Sequence, residues 1–113
     1  MKTKVRDIGT VRIFDIDGKI TIGSGDVELR QNIEDSLTAG RATLLLNLKG
    51  VSHIDSTGIG EMVGCLITVK RKGGAMKLLN LSPKINDILQ VTQLITVFDV
   101  YDSESEAIES FIG

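Results

Sequence analysis

The sequence predicts an α/β domain, with a mixed, mostly parallel sheet of four to five strands flanked by about four helices. Three observations carry that expectation. Strand-like and helix-like segments alternate along the chain, the pattern of right-handed crossovers onto one sheet. Ala42 to Leu48, "ATLLLNL", is a short continuous apolar run, the mark of a strand buried on both faces. The chain has 113 residues, one ordinary domain's length, and shows no repeat, low-complexity tract or linker, so residues 1–113 read as one domain.

The first segment, "KVRDIGTVRIFDI", reads as two strands turning near Ile8-Gly9-Thr10. Val11 and Ile13 share a face of the second strand, and Asp17-Gly18 closes it. After "TIGSG", Leu29, Ile33 and Leu37 recur every fourth residue, a helical stripe that Gly40 ends as a C-terminal cap. The run Ala42–Leu48 gives the buried strand, followed by a loop and then a helix from about residue 57 to about Arg71. Lys70, Arg71 and Lys72 suit the negative end of that helix's dipole, and Gly73-Gly74 stop it.

"AMKLLNL" is a further strand. Ser82-Pro83 then offers a hydroxyl N-cap with proline at the first helical position, and Ile85, Ile88 and Leu89 form the buried stripe. "TVFDVY" reads as the last strand. The closing helix opens on Ser103-Glu104-Ser105-Glu106, a capping box, and is expected to bury Ile108, Phe111 and Ile112.

Composition narrows the function. Apolar residues are 42% and charged residues 25%, the balance of a globular chain. A net charge of -2, with no arginine-rich or aromatic-studded segment, supplies no field for nucleic acid. No run approaches the roughly 18 apolar residues of a membrane span. "MKTKVRDIGTVRIF" alternates charge with apolar residues instead of building a secretory signal core. The single cysteine, Cys65, staples nothing, which suits a reducing compartment. The expected location is cytoplasmic, without membrane or nucleic-acid partners.

The chemistry concentrates in Asp55-Ser56-Thr57-Gly58-Ile59-Gly60, at a helix start. A nucleophile elbow needs Gly-x-Ser-x-Gly with a histidine base, whereas Ser56 lacks the preceding glycine. His53, the only histidine, reads as a solvated or hydrogen-bonded loop residue. Gly58, Gly60 and Gly64 miss the dinucleotide spacing by one residue, and Gly18-Lys19 is followed by Ile20, not by the hydroxyl of a phosphate-binding loop. One Cys and one His make no structural zinc centre, and Asp15, Asp17 and Asp26 lack calcium-loop spacing. No cofactor, metal or catalytic residue is expected, and the chain is not read as an enzyme.

The helix start itself remains. At 100° per residue, Ile59, Met62, Val63, Leu66, Ile67 and Val69 fall within one arc, the expected core face. Opposite them Ser56, Gly60, Gly64 and Thr68 follow one another, a line nearly bare of side chains. Two interior glycines each cost about 1 kcal/mol relative to alanine. Two explanations stand side by side: close packing against a neighbouring element, or a smooth docking strip for another protein. Ser56 likewise reads as an N-cap, or as a hydroxyl open to phosphorylation, or both.

"DSTGIG" after an apolar strand resembles the phosphorylation signature of the bacterial anti-sigma factor antagonists, which are STAS domains. "VRIFDIDGKIT" looks like that family's second strand and Gly-x-apolar turn, and "ATLLLNLKGVSHIDSTGIG" like its central strand, loop and phosphosite. "AMKLLNLSPKINDILQVTQLITVFDVYDSESEAI" looks like the remainder. The resemblance implies a STAS fold and a phosphoacceptor at Ser56, with Asp55, Thr57, Gly58, Ile59 and Gly60 completing the signature. Where the family often carries an acid after the turn, this chain has Thr21. It further implies partner switching: the unphosphorylated protein binds an anti-sigma factor, which frees a sigma factor. That anti-sigma factor is a serine kinase whose phosphorylation of Ser56 ends the binding, and a protein phosphatase resets the switch. The expected contact surface is Asp55, Thr57–Gly60, Gly64, Thr68 and Thr21 on a monomer or weak dimer. The alternatives are a scaffold subunit of a stress-signalling complex and a small nucleotide-binding protein.

Overall fold

The computed structural model describes residues 1–112; Gly113, the last residue of the expected domain, lies outside them. Five strands form one sheet in sequence order: β1 (Lys2–Ile8), β2 (Val11–Ile20), β3 (Thr43–Ile54), β4 (Ala75–Leu79) and β5 (Val100–Tyr101). β1 runs antiparallel to β2 through the Gly9-Thr10 turn, and every later neighbour is parallel. The helices are α1 (Asp26–Thr38), α2 (Ser56–Arg71), α3 (Pro83–Val91) and α4 (Glu104–Ser110). The mixed, mostly parallel five-stranded sheet with four helices is the predicted architecture.

Strand alternation divides the core in two. Phe14, Ile16, Leu44, Leu46, Leu48 and Leu78 point to one face, where Leu29 and Ile33 of α1, Met62, Leu66 and Val69 of α2, and Ile85 and Leu89 of α3 cover them. Ile13, Leu45 and Leu79 point to the other, closed by Ala107, Ile108 and Phe111 of α4. Beside α4 that second face is polar. Arg6 donates to Asp15 (2.7 Å) and Glu104, and Asn47 donates to Asp15 (2.8 Å) and accepts from Asn80 (3.2 Å). This row ties three strands to the start of α4, which accounts for Asp15 better than any metal.

The helix ends follow the expected chemistry. Gly40 and Gly73 sit at φ +79°, the left-handed geometry that glycine adopts without a Cβ clash. The amides of residues 40 and 41 return to Leu37 and Ser36, and those of 73 and 74 to Lys70 and Val69, two Schellman closures. Ser82 and Ser103 accept from the amides of Ile85 and Glu106.

Four expectations are corrected. β2 passes through Gly18 to Ile20, absorbing the glycine's φ of +99° at a register shift against β3. β3 continues to Ile54, because Gly50 to Ile54 pair with that extension instead of looping. Of "TVFDVY" only Val100–Tyr101 is strand; Leu94–Thr96 wind into a 3₁₀ turn after Gln93, whose φ is +61°. Ile112 is exposed, since α4 ends at Ser110.

Candidate functional site

β2 and β3 end level, Ile20 opposite Ile54, so the segments that leave them emerge side by side. The crevice beyond the carboxyl ends of parallel strands is where open α/β sheets place their sites. Here β3 delivers Asp55 and α2, and β2 delivers Thr21-Ile22.

Asp55, not Ser56, is the N-cap of α2. Its backbone is extended (φ -112°, ψ -176°), as a cap requires, and its Oδ1 accepts from the Gly58 amide at 2.8 Å. Its Oδ2 accepts from the Ile22 amide at 3.0 Å, so one carboxylate pins the helix start to the β2–α1 loop. Both bonds favour the ionised form and, with the Ile22 amide the larger cause, hold the carboxyl below the usual range. Asp55 takes the cap because its two oxygens reach donors on two segments at once, the Gly58 amide of α2 and the Ile22 amide of the β2–α1 loop.

Ser56 therefore occupies the first helical position. It is exposed, and among the described residues its hydroxyl has no hydrogen-bond duty. Thr57 is half-buried, and Gly58 and Ile59 are buried. A Cβ at Gly58 would stand 1.9 Å from the carbonyl oxygen of Ile20, so the first turn of α2 rests on the end of β2 and only glycine permits it. Thr21 is half-buried and bridges to Ser24 and Gly25; its hydroxyl faces the Ser24 carbonyl at 3.4 Å. The neighbouring Ile22 side chain is 73% exposed beside the site.

Along α2, Gly60 and Gly64 are exposed, and a Cβ built on either meets nothing within 4 Å. The close-packing explanation for these glycines does not hold: among the described residues they pack on nothing. Thr68, half-buried, donates its hydroxyl back to the Gly64 carbonyl at 2.9 Å, which folds its polar group onto the helix. Ser56, Gly60, Gly64 and Thr68 thus make a low strip facing outward. The buried face of α2 differs from the expected arc at two places. Cys65 belongs to it, and Ile67 is 50% exposed. His53 is exposed and meets Ser52 Oγ at 3.2 Å, not Ser56.

Sequence reasoning missed Ile22 and the packing role of Gly58. Both depend on which distant segment lies alongside, 33 and 38 residues away along the chain, and no local signal reports that. Among the described residues no three His, Cys, Asp or Glu side chains converge as metal ligands, and no helix is long and apolar enough to cross a membrane.

The sequence profile of the STAS domain matches residues 2–107. Over 85 residues the chain is 39% identical to the anti-sigma-B factor antagonist of Bacillus subtilis (strain 168), an alignment spanning 75% of this chain and 76% of that one. The crystal structure of tm1081, a candidate anti-sigma factor antagonist from Thermotoga maritima, superposes with a TM-score of 0.90 at 25% identity, covering 98% of this chain and 95% of that one. The anti-sigma factor antagonist SpoIIAA in its unphosphorylated form gives a TM-score of 0.72 at 20% identity over 99% of both chains, a likeness of fold.

Proposed function

This chain belongs to the STAS domain family, and from that premise we propose that it is an anti-sigma factor antagonist switched by phosphorylation of Ser56. Its unphosphorylated form binds an anti-sigma factor serine kinase around Ser56, Thr21 and the Gly60–Gly64–Thr68 strip, and so releases a sigma factor. The chain acts as binding module and kinase substrate, not as catalyst. The name of its Bacillus subtilis relative supports the partner class.

One observation carries the reading: Ser56 is exposed at a helix start whose capping is done by Asp55. The hydroxyl is then free to react without loss to the fold. In the transfer, Ser56 Oγ bonds to the γ-phosphorus of the kinase's ATP, the bond to ADP breaks, and the hydroxyl proton leaves to a base of the kinase. The product carries about -1.5 to -2 charge at the positive end of the α2 dipole, where it is tolerated. The same charge disturbs an apolar or acidic partner surface docked there, where like-charge juxtaposition costs several kcal/mol. A phosphatase restores the hydroxyl by hydrolysis.

The test is incubation with ATP and each anti-sigma factor kinase of the source organism, read by intact mass and fragmentation. One phosphoryl group is expected, on Ser56 and not on Thr57. Ser56→Ala should take up none and hold its partner with ATP present, while Ser56→Asp should fold and bind poorly. Undiminished labelling of Ser56→Ala overturns the acceptor assignment.

A further inference from the structure

α1 and α2 lie side by side on the sheet, and a cleft of about 120 Å³ opens between them along the strip. Ile33 and Cys65 supply its apolar lining, Arg30, Glu34 and Glu61 its charged groups, and Gly64 leaves one wall without a side chain. Glu61 holds an unusual position. Its side chain is only 19% exposed, and Oε1 accepts one bond of 3.3 Å from Arg30. Its other oxygen, Oε2, is fully buried and has no partner among the described residues. Buried carboxylate oxygens are nearly always paired, so this one lacks a donor.

Arg30 does not fill that need. Its side chain is 51% exposed and reaches Glu61 through a single long bond. The cleft also has an excess of negative charge, two carboxylates against one guanidinium. Burial pushes the Cys65 thiol up to about 12, with Glu61 and Glu34 adding to the rise and Arg30 opposing it. An apolar floor beneath a carboxylate short of a donor matches a long side chain with a cationic tip.

We propose that this cleft receives an arginine side chain of the anti-sigma partner, its stem on Ile33 and Cys65 and its guanidinium on Glu61 Oε2, displacing Arg30. The inference rests on the docking face proposed above, because Gly64 and Thr68 belong to both the strip and the cleft. Arginine is the matching residue because its planar fork can satisfy both oxygens of one carboxylate and remains charged when desolvated. Gly64 gains a reason as well: a side chain there would narrow the entrance.

The experiment needs no partner at first. N-methylguanidinium is titrated into the ¹⁵N-labelled protein, with tetramethylammonium at equal ionic strength as control. Saturable shifts confined to Arg30–Glu34 and Glu61–Thr68 are expected, weakened about tenfold by Glu61→Gln, the loss of one charged hydrogen bond. Gly64→Leu, which places its side chain at the open wall, should block the shifts even where Glu61 is intact. Shifts that do not saturate, spread over the whole surface, or persist unchanged in Glu61→Gln overturn the proposal.

A second arm measures the dissociation rate of the kinase complex. Glu61→Gln should speed it about tenfold, while Ser56→Ala should not. A complex indifferent to Glu61→Gln and Gly64→Leu sinks the cleft and leaves the Ser56 switch standing. If no kinase binds or phosphorylates the chain, the switch reading fails and takes the partner's arginine with it.

Discussion

Gly58 and the pair Gly60 and Gly64 occupy one helix within seven residues and stand in opposite surroundings. At Gly58 an added Cβ would stand 1.9 Å from the Ile20 carbonyl oxygen and 2.9 Å from the Ile54 side chain. At Gly60 and Gly64 it would meet nothing within 4 Å. The first glycine is fixed by how the chain packs on itself. The other two weaken the helix with no compensating contact among the described residues, which supports the docking strip proposed above.

The sharpest way to break this contrast is Gly58→Ala. The new methyl meets backbone at a strand end, which cannot swing away as a flexible side chain tip can, so either the first turn of α2 or the end of β2 must move. A loss of about 3 kcal/mol is expected, at the upper end of overpacking costs, measured by urea denaturation. A loss below about 0.5 kcal/mol, the range of ordinary surface changes, would mean that the close approach does not hold the site.

Gly60→Ala and Gly64→Ala should move the other way. Each gains about 1 kcal/mol of helix propensity in open space. A rise in thermal midpoint of about 4–8 °C apiece follows for a domain near this size. The double variant should be the more stable protein and the weaker binder in the kinase assay. Greater stability with undiminished binding would assign the glycines no docking role.

What was legible in the sequence divides along the same line. Features set by a few neighbouring residues were readable: the turns at Gly40 and Gly73, the caps at Ser82 and Ser103, and the doubly buried run in β3. The strip was readable too, as a spacing of four. Features set by a distant partner were not. β3 continues through Lys49–His53 because β2 lies alongside, although those residues alone lack a strand's alternation. Leu94–Thr96 carry β-branched residues yet wind into a turn, with tertiary context overriding propensity. Asp55 took the cap from Ser56 because the Ile22 amide, brought near by the fold, gave its second oxygen a role.

A smaller effect is expected at Ser56 itself. As the first residue of α2 it lies where negative charge complements the dipole, so Ser56→Asp should raise stability by about 0.3–1 kcal/mol at low ionic strength. Salt should erase the gain. Because Asp55 remains the cap, the same variant should keep its fold while losing its partner. If Ser56→Asp is instead destabilised, the hydroxyl carries part of the cap and the division of labour between positions 55 and 56 is less clean than the geometry implies.

The finest test of that division is the pH dependence of Asp55. Its folded carboxyl titrates below its unfolded value, chiefly through the Ile22 amide and then the Gly58 amide. Its ionised form therefore contributes stability that is fully present above the unfolded value of about 3.9. That contribution is lost as pH falls through the lower folded value. Asp7, Asp15 and Glu104 are also depressed by their arginine partners and lose stability over the same acid range, so the whole-protein curve cannot isolate one group. Asp55→Asn can: its one amide oxygen can still cap the helix, and the bond its NH2 cannot accept adds only a pH-independent offset. The stability difference between wild type and Asp55→Asn should be positive and level at neutral pH, then shrink as the pH falls through the carboxylate range. A difference that stays constant down to about pH 3 would assign Asp55 a purely geometric role, and the hold on Ile22 would then not depend on its charge.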